Sequence, residues 1–295
     1  MKKILAMVLG SALLVSACGN EEETVVVSGK TFTEQIILTH MIAELLEANT
    51  DINIETEADV GATDVLTQGM MDEDIDLYVE YTGTSYMTVL GEEIDPENPQ
   101  EAEGIYEAVQ EGYNEEFDIS WLKPFDFENR YAIGMRSEDT DGIDNQSDLV
   151  EHSEDLIIGY NPDFGEREDG IEPMNERYGY EWADRAQMDE GLMYDAINEG
   201  EVDVIAAFTT DGRIPSFDLE ILEDDLNFFP PYFAAPIIRN EVLEQHPEIE
   251  EELAELAPLL TEEVMAELNA EVDLEHELEE TVATNFLVEN GLIEE

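Results

Sequence analysis

Two hydrophobic periods take turns along this chain. TVVVS (24–28), INIETEA (52–58) and DIDLYVEYTGTSY (74–86) read as strands. In the third, Ile75, Leu77, Val79 and Tyr81 alternate with Asp76, Tyr78 and Glu80, the period of two that sends side chains to opposite faces of a sheet. The strand then runs into Thr82-Gly83-Thr84, which reads as a polar turn out to solvent. IILTHMIAELLEAN (36–49) and GATDVLTQGM (61–70) carry helical spacing, and Thr31-Phe32-Thr33-Glu34 has the form of a capping box ahead of the first. A Pro- and Glu-rich loop at 92–104 leads into another helix ending near Phe117.

A second series begins near residue 127. RYAIGMR (130–136), LIIGY (156–160) and VDVIAAFTTDG (202–212) predict strands, with a helix over GLMYDAINEG (191–200) and a Gly-rich loop, PDFGEREDG, after LIIGY. FFPPYFAAPIIR (228–239) reads as an extended return segment whose prolines disfavour a central strand. Beyond Glu241 the spacing of Leu253, Leu256, Leu259 and Leu260 is helical, and the simplest reading is an acidic helix pair packed on the first series. Strands alternating with helices imply α/β architecture with mostly parallel sheets, and two such series imply two lobes with a cleft between them. In such sheets ligands sit outside the carboxyl ends of the strands.

The first residues, MKKILAMVLGSALLVSACGN, combine a basic start, a short apolar run and small residues ahead of a cysteine. That is a secretory signal pattern, too short for a membrane span. Val15-Ser16-Ala17-Cys18 resembles a bacterial lipobox, so Cys18 is the expected lipidation site, residues 1–17 the signal and 18–23 a linker. Cys18 is the sole cysteine, so an intramolecular disulfide is impossible. The expected product is a monomer tethered to the outer face of the cytoplasmic membrane, or periplasmic.

Charge narrows the partners. Against 76 acidic residues there are 11 basic ones, a net of −65. That surface suits a salty milieu, where a Debye length of about 3 Å at roughly 1 M salt screens self-repulsion. No basic patch is present to serve nucleic acid or anionic lipid. The four histidines (His40, His152, His246, His276) lack metal-ligand spacing, DEDID (72–76) lacks the rest of a calcium loop, and no G-x-S-x-G occurs. Neither a metal, a cofactor nor catalysis is expected.

Nine basic residues lie beyond the signal, and two fall where chemistry is expected. Lys30 lies between a strand's carboxyl end and a helix N-terminus, where backbone N–H groups favour an anion; Arg167 follows LIIGY in the same way. Aromatic residues form a second group: Tyr81 and Phe208 end strands, Tyr131 begins one, and Tyr232 sits on the return segment. Ring faces around one cleft suit a methylated ammonium through cation–π attraction of about 0.5–2 kcal/mol per contact.

These stretches (SGKTFTEQIILTHMIAELLE, DIDLYVEYTGTSY, NPDFGEREDG and LMYDAINEGEVDVIAAFTTDGRI with PPYFAAPIIR) resemble the substrate-binding proteins of glycine betaine/choline-type osmoprotectant ABC importers, in order and over nearly the whole mature chain. The resemblance implies a type II periplasmic-binding-protein fold, two lobes joined by two crossovers: 24–126 with 231–295, and 127–230. It implies an aromatic cage of Tyr81, Tyr131, Phe208 and Tyr232, a ligand carboxylate held by Lys30, Thr84 and Arg167, and ABC membrane subunits as partners. The family's AYTTD reads AFTTD here, so Phe208 keeps a ring face but lacks a hydroxyl. Both Lys30 and Arg167 are retained, which favours a zwitterion such as glycine betaine over choline; a choline- or carnitine-preferring protein, or the same module serving a sensor, is the alternative.

Overall fold

The computed structural model describes residues 24–93, 102–167 and 169–294. The signal segment, Cys18 and the linker lie outside the described residues, as does most of the 92–104 loop.

Two five-stranded sheets carry the fold. The first contains β1 (Thr24–Ser28), β2 (Asn53–Glu57), β3 (Leu77–Tyr81), β4 (Ile119–Trp121) and β10 (Ala234–Arg239), in the order β2-β1-β3-β10-β4. The second contains β5 (Tyr131–Arg136), β6 (Ile157–Tyr160), β7 (Asp184–Gln187), β8 (Val204–Phe208) and β9 (Leu219–Ile221), in the order β7-β6-β8-β5-β9. The orders are equivalent. In each sheet four strands share one direction and a fifth, β10 or β5, runs antiparallel to both its neighbours. The reversed strand is the first that the chain enters after passing from the other sheet. The predicted mostly parallel α/β layering is therefore present, with one antiparallel insertion per sheet.

β3 keeps its predicted alternation from Leu77 onward, but neither face meets water. Leu77, Val79 and Tyr81 pack with Leu38, Met41 and Leu45 of helix α1 (Thr33–Asn49), while Tyr78 joins Leu66 and Met70 of helix α2 (Thr63–Met71) on the other side. Ile75 belongs to the Tyr78 side, because the chain is irregular before Leu77. Each fully buried aliphatic side chain contributes about 1.5–3 kcal/mol. The acidic positions of this strand are buried too, and each has a cation: Asp76 pairs with Arg239 at 2.8 Å and Glu80 with Lys30 at 2.5 Å.

Several expectations are corrected. Thr82–Thr84 is not a polar turn to solvent but a buried helical turn against the Pro231–Tyr232 segment. β10 is a central strand despite Pro236. The carbonyl of Pro236 accepts from the Leu122 N–H just past the end of β4, so the missing N–H of the proline falls where that ladder has finished. PDFGEREDG is not all loop, since Pro162–Glu166 is helical and Arg167 caps it. The acidic C-terminal region holds four helices rather than a pair (Asn240–Gln245, Glu248–Leu256, Glu262–Asp273 and Glu279–Glu289), the last three packed on α1.

Candidate functional site

The carboxyl ends of β1, β3, β6 and β8, with the starts of β5 and β10, converge on one region. Antiparallel register sets Tyr131 directly opposite Phe208, and their rings lie 4.4 Å apart between centroids. Phe32, one residue ahead of α1, stacks between the sheets: its ring is 6.3 Å from Tyr81 and 6.4 Å from Phe208, at 25° and 10°. Tyr81, Phe32, Phe208 and Tyr131 thus form one row crossing from the first sheet to the second, at separations typical of aromatic contact. Three of these rings are sequence candidates. Phe32 is not, because its helix-start position offers no periodic signal.

Tyr232 joins from another direction. Its hydroxyl donates to Asp169, and the Arg167 guanidinium, bonded to Asp169 through Nε and Nη2 at 2.7 and 2.8 Å, reaches the same hydroxyl at 3.5 Å. Arg167 also lies 5.6 Å over the Tyr131 ring, and Lys30 lies 5.0 Å over the Tyr81 ring. Gly83 permits this packing. A Cβ there would stand 2.7 Å from Tyr232 Cε1 and 2.9 Å from the Pro231 carbonyl, which explains the glycine of YTGT. Thr84 is buried in the same turn, and among the described residues no side-chain hydrogen bond ties it to Lys30 or Arg167.

The two candidate cations are not bare. Lys30 is held by Glu80, which also accepts from the Tyr81 backbone N–H at 2.7 Å. Burial works to lower the Arg167 pKa, but the Asp169 carboxylate outweighs it, so the pKa is raised and the charge is fixed.

Glu34 has a role that the sequence hides. The predicted capping box does not form: Phe32 is the N-cap, without a side-chain bond, and Glu34 turns inward. Its Oε1 accepts from the Tyr81 hydroxyl at 2.6 Å and Asn129 Nδ2 at 3.1 Å; Oε2 accepts from Thr210 Oγ1 at 2.6 Å and Asn269 Nδ2 at 3.4 Å. Those donors come from β3, the first crossing between sheets, the turn after β8 and the helix Glu262–Asp273. Burial raises the Glu34 pKa against the lowering effect of all four bonds. Close approach of the turn after β8 depends on Gly212, where a Cβ would stand 2.5 Å from Ala270 Cβ.

Glu34 lines a small open cleft of about 20 Å³, room for a water-sized group. Phe32 and Phe208 supply apolar walls, while Asn129, Asn269, Glu190 and Asp273 line its polar side. Among the described residues no cluster of His, Cys, Asp and Glu has metal-holding geometry, and no helix is long and apolar enough to cross a membrane.

The chain is similar to known proteins over nearly its full length. A glycine-betaine-binding protein of Pseudomonas aeruginosa is 34% identical over 99% of this chain and 96% of its own length. The carnitine transport binding protein OpuCC of Listeria monocytogenes is 32% identical over 99% of this chain and 98% of its own. A solved structure of a glycine betaine/carnitine/choline ABC transporter protein superposes with a TM-score of 0.80 at 30% identity, over 91% of this chain and 99% of that one. Residues 23–289 match the substrate-binding domain of the ABC-type glycine betaine transport system. The chain belongs to that family of substrate-binding proteins, with their two-sheet α/β fold.

Proposed function

We propose that this chain is a lipid-anchored, monomeric, extracytoplasmic binding protein that captures glycine betaine or a related quaternary-ammonium osmoprotectant for ABC import. The observation that carries the reading is the ring row Tyr81–Phe32–Phe208–Tyr131, drawn from both sheets and meeting at one cleft. Family membership supports the same ligand class.

In this reading the lobes 24–126 with 231–295, and 127–230, close on the ligand. Tyr81, Tyr131, Phe208 and Tyr232 form the cage named by the sequence, and Phe32 is added to it. A trimethylammonium group carries its charge on methyl surfaces, needs little hydration, and gains about 0.5–2 kcal/mol per ring face. At high salt such a desolvated box discriminates where exposed carboxylates are screened. Lys30, Thr84 and Arg167 receive the ligand carboxylate: Nη1 of Arg167 lies 3.5 Å from exposed Asp163, so that edge of the guanidinium can exchange a surface acid for a ligand. Cys18 carries the lipid.

Thermal unfolding and calorimetry at high salt test the reading. Glycine betaine, carnitine or choline at 100 times Kd should add about 2.7 kcal/mol of stability, and unmethylated glycine none. Phe208→Ala should weaken whichever ligand binds. Failure of all three methylated compounds to bind the wild-type protein would overturn the assignment.

A further inference from the structure

Arg213 stands where the turn after β8 meets the C-terminal helices. Its guanidinium lies 4.2 Å over the Tyr194 ring and bonds Asp211 through Nε, at 2.8 Å, and Nη2. Both partners belong with the second sheet. Nη2 also faces Asp273 at 3.6 Å, at the end of the helix Glu262–Asp273 that packs on α1. Asp273 in turn accepts from Thr33 Oγ1 at 2.7 Å, at the start of α1. Two further bonds join the same turn to those helices: Asn269 Nδ2 donates to the Thr210 carbonyl at 2.9 Å, and Thr210 Oγ1 to Glu34 at 2.6 Å. Arg213 is the cation of a contact between the layers of the two sheets.

Four acidic residues line the cleft at this contact, Glu34 and Asp273 from the first layer, Glu190 and Asp211 from the second. Among the described residues Arg213 is the sole basic side chain paired with any of them. Three of the four have hydrogen-bond donors. Glu34 has four, Asp211 has the guanidinium and the Arg213 backbone N–H, and Asp273 has Thr33. Glu190 has none among the described residues: Arg213 Nη2, its cation, stands 3.7 Å away. The Glu190 side chain is 32% exposed, so solvent protons reach it.

Opposing influences act on that carboxyl. Burial raises its pKa most; Asp211, Asp273 and Glu34 raise it further and Arg213 lowers it, leaving it at about 7. The first turn of the helix Glu190–Glu199, where Glu190 sits, also favours the charged form. Asp211 and Arg213 lie on its own side of the contact. Asp273 and Glu34 lie across it, on α1 and on the helix packed against α1. Parting the layers removes those two charges and rehydrates Glu190, while Arg213 stays beside it. Each change favours the ionised acid.

Building on the reading above, in which two lobes close on a ligand, we infer that closure takes up a proton at Glu190. Ligand capture and protonation are then one linked event. The closed form holds a proton that the open form has lost, and the open form gains as protons become scarce. Affinity is therefore highest on the acidic side, falls as pH rises through neutrality, and levels once neither form is protonated. Without that proton, closure would gather four carboxylates around one guanidinium.

Calorimetry on the intact protein at high salt tests it, with glycine betaine and with choline, neither of which exchanges a proton near neutrality. Titrations in buffers of different ionisation heat count the protons. At about pH 6 binding should take up close to one proton; at about pH 8.5 it should take up close to none, with affinity about tenfold weaker. Glu190→Gln, which resembles the protonated acid, should take up none at either pH and lose that tenfold difference. Asp273→Asn removes one charge across the contact and should shrink the difference. A wild-type count near zero at about pH 6 overturns the proton link and leaves the betaine-binding reading standing. A Glu190→Gln variant that still takes up the proton overturns Glu190 as its seat. If that variant does not fold, an Asp273→Asn pH profile identical to the parent's overturns the proposal in its place. Absence of binding by both compounds at either pH overturns the broader reading instead.

Discussion

Thr210 Oγ1 donates a 2.6 Å hydrogen bond to Glu34 Oε2, linking the turn after β8 of the second sheet to the helix that packs beneath the first. Tyr81, Asn129 and Asn269 converge on the same carboxyl group. One acidic side chain thus ties together both sheets, a crossing segment and a C-terminal helix. Hydrogen bonds to a charged group are worth about 1.5–3 kcal/mol each, so Thr210→Val should lose that much stability. Thr210→Ser keeps the donor and should lose less. Chemical denaturation at high salt checks both; a serine variant weaker than the valine variant means that packing, not the bond, matters at this position.

Gly83 and the Tyr232 ring share a space with no room for a methyl group. Gly83→Ala should push Tyr232 off the Asp169–Arg167 pair and cost about 1–3 kcal/mol, as overpacking does. Ligand affinity should fall with it. A variant as stable as the parent, with unchanged affinity, shows that Tyr232 can move without consequence.

Arg167 and Asp169 form a two-pronged ion pair whose acid is almost fully buried. Removing the cation alone strands that carboxylate, so Arg167→Ala should destabilise by about 3–5 kcal/mol. The double variant Arg167→Ala/Asp169→Ala should lose less than the two single variants summed. On ligands, Arg167→Ala should weaken carboxylate-bearing compounds far more than choline. An additive cycle, or equal loss for both ligand types, counts against the pairing and the carboxylate role respectively.

Glu190 gives stability a pH dependence with a definite sign. Burial raises its pKa from 4.5 to about 7; Asp211 adds to that and Arg213 opposes it. Between those values the folded form holds a proton that the unfolded chain has lost. The resulting contribution is complete below about pH 4.5 and disappears as pH rises through 7. Glu190→Gln lacks this titration, so the variant should gain on the parent as pH is raised from the acidic side through neutrality. Parallel denaturation series read the difference, which cancels the background from the many other acids. A constant difference across the window removes Glu190 as its source.

Local pattern made much of the fold legible. β1, β5 and β8 are strands where their alternation or apolar runs predict them, and α1, α2 and Glu190–Glu199 follow their helical spacing. The short β4, β7 and β9 carry no such signal, because three or four residues, such as Asp184–Gln187, show no period against their surroundings. The rings at strand ends were visible because Tyr81, Tyr131 and Phe208 adjoin turns. Phe32 and Glu34 were hidden inside a sequence that imitates a helix cap, and Asn269 gives no signal within its acidic helix.

By itself, then, the sequence determined where most strands and helices lie, which rings stand at their ends and how few cations the chain carries. Tertiary structure alone decided the pairing: Lys30 with Glu80, Arg167 with Asp169, and Glu34 with four neutral donors. The physical reason is range. Periodicity reports on neighbours within a turn or a pleat, whereas Glu34 meets Thr210 and Asn269 across 176 and 235 residues of chain, a proximity created only when both sheets are folded and in contact.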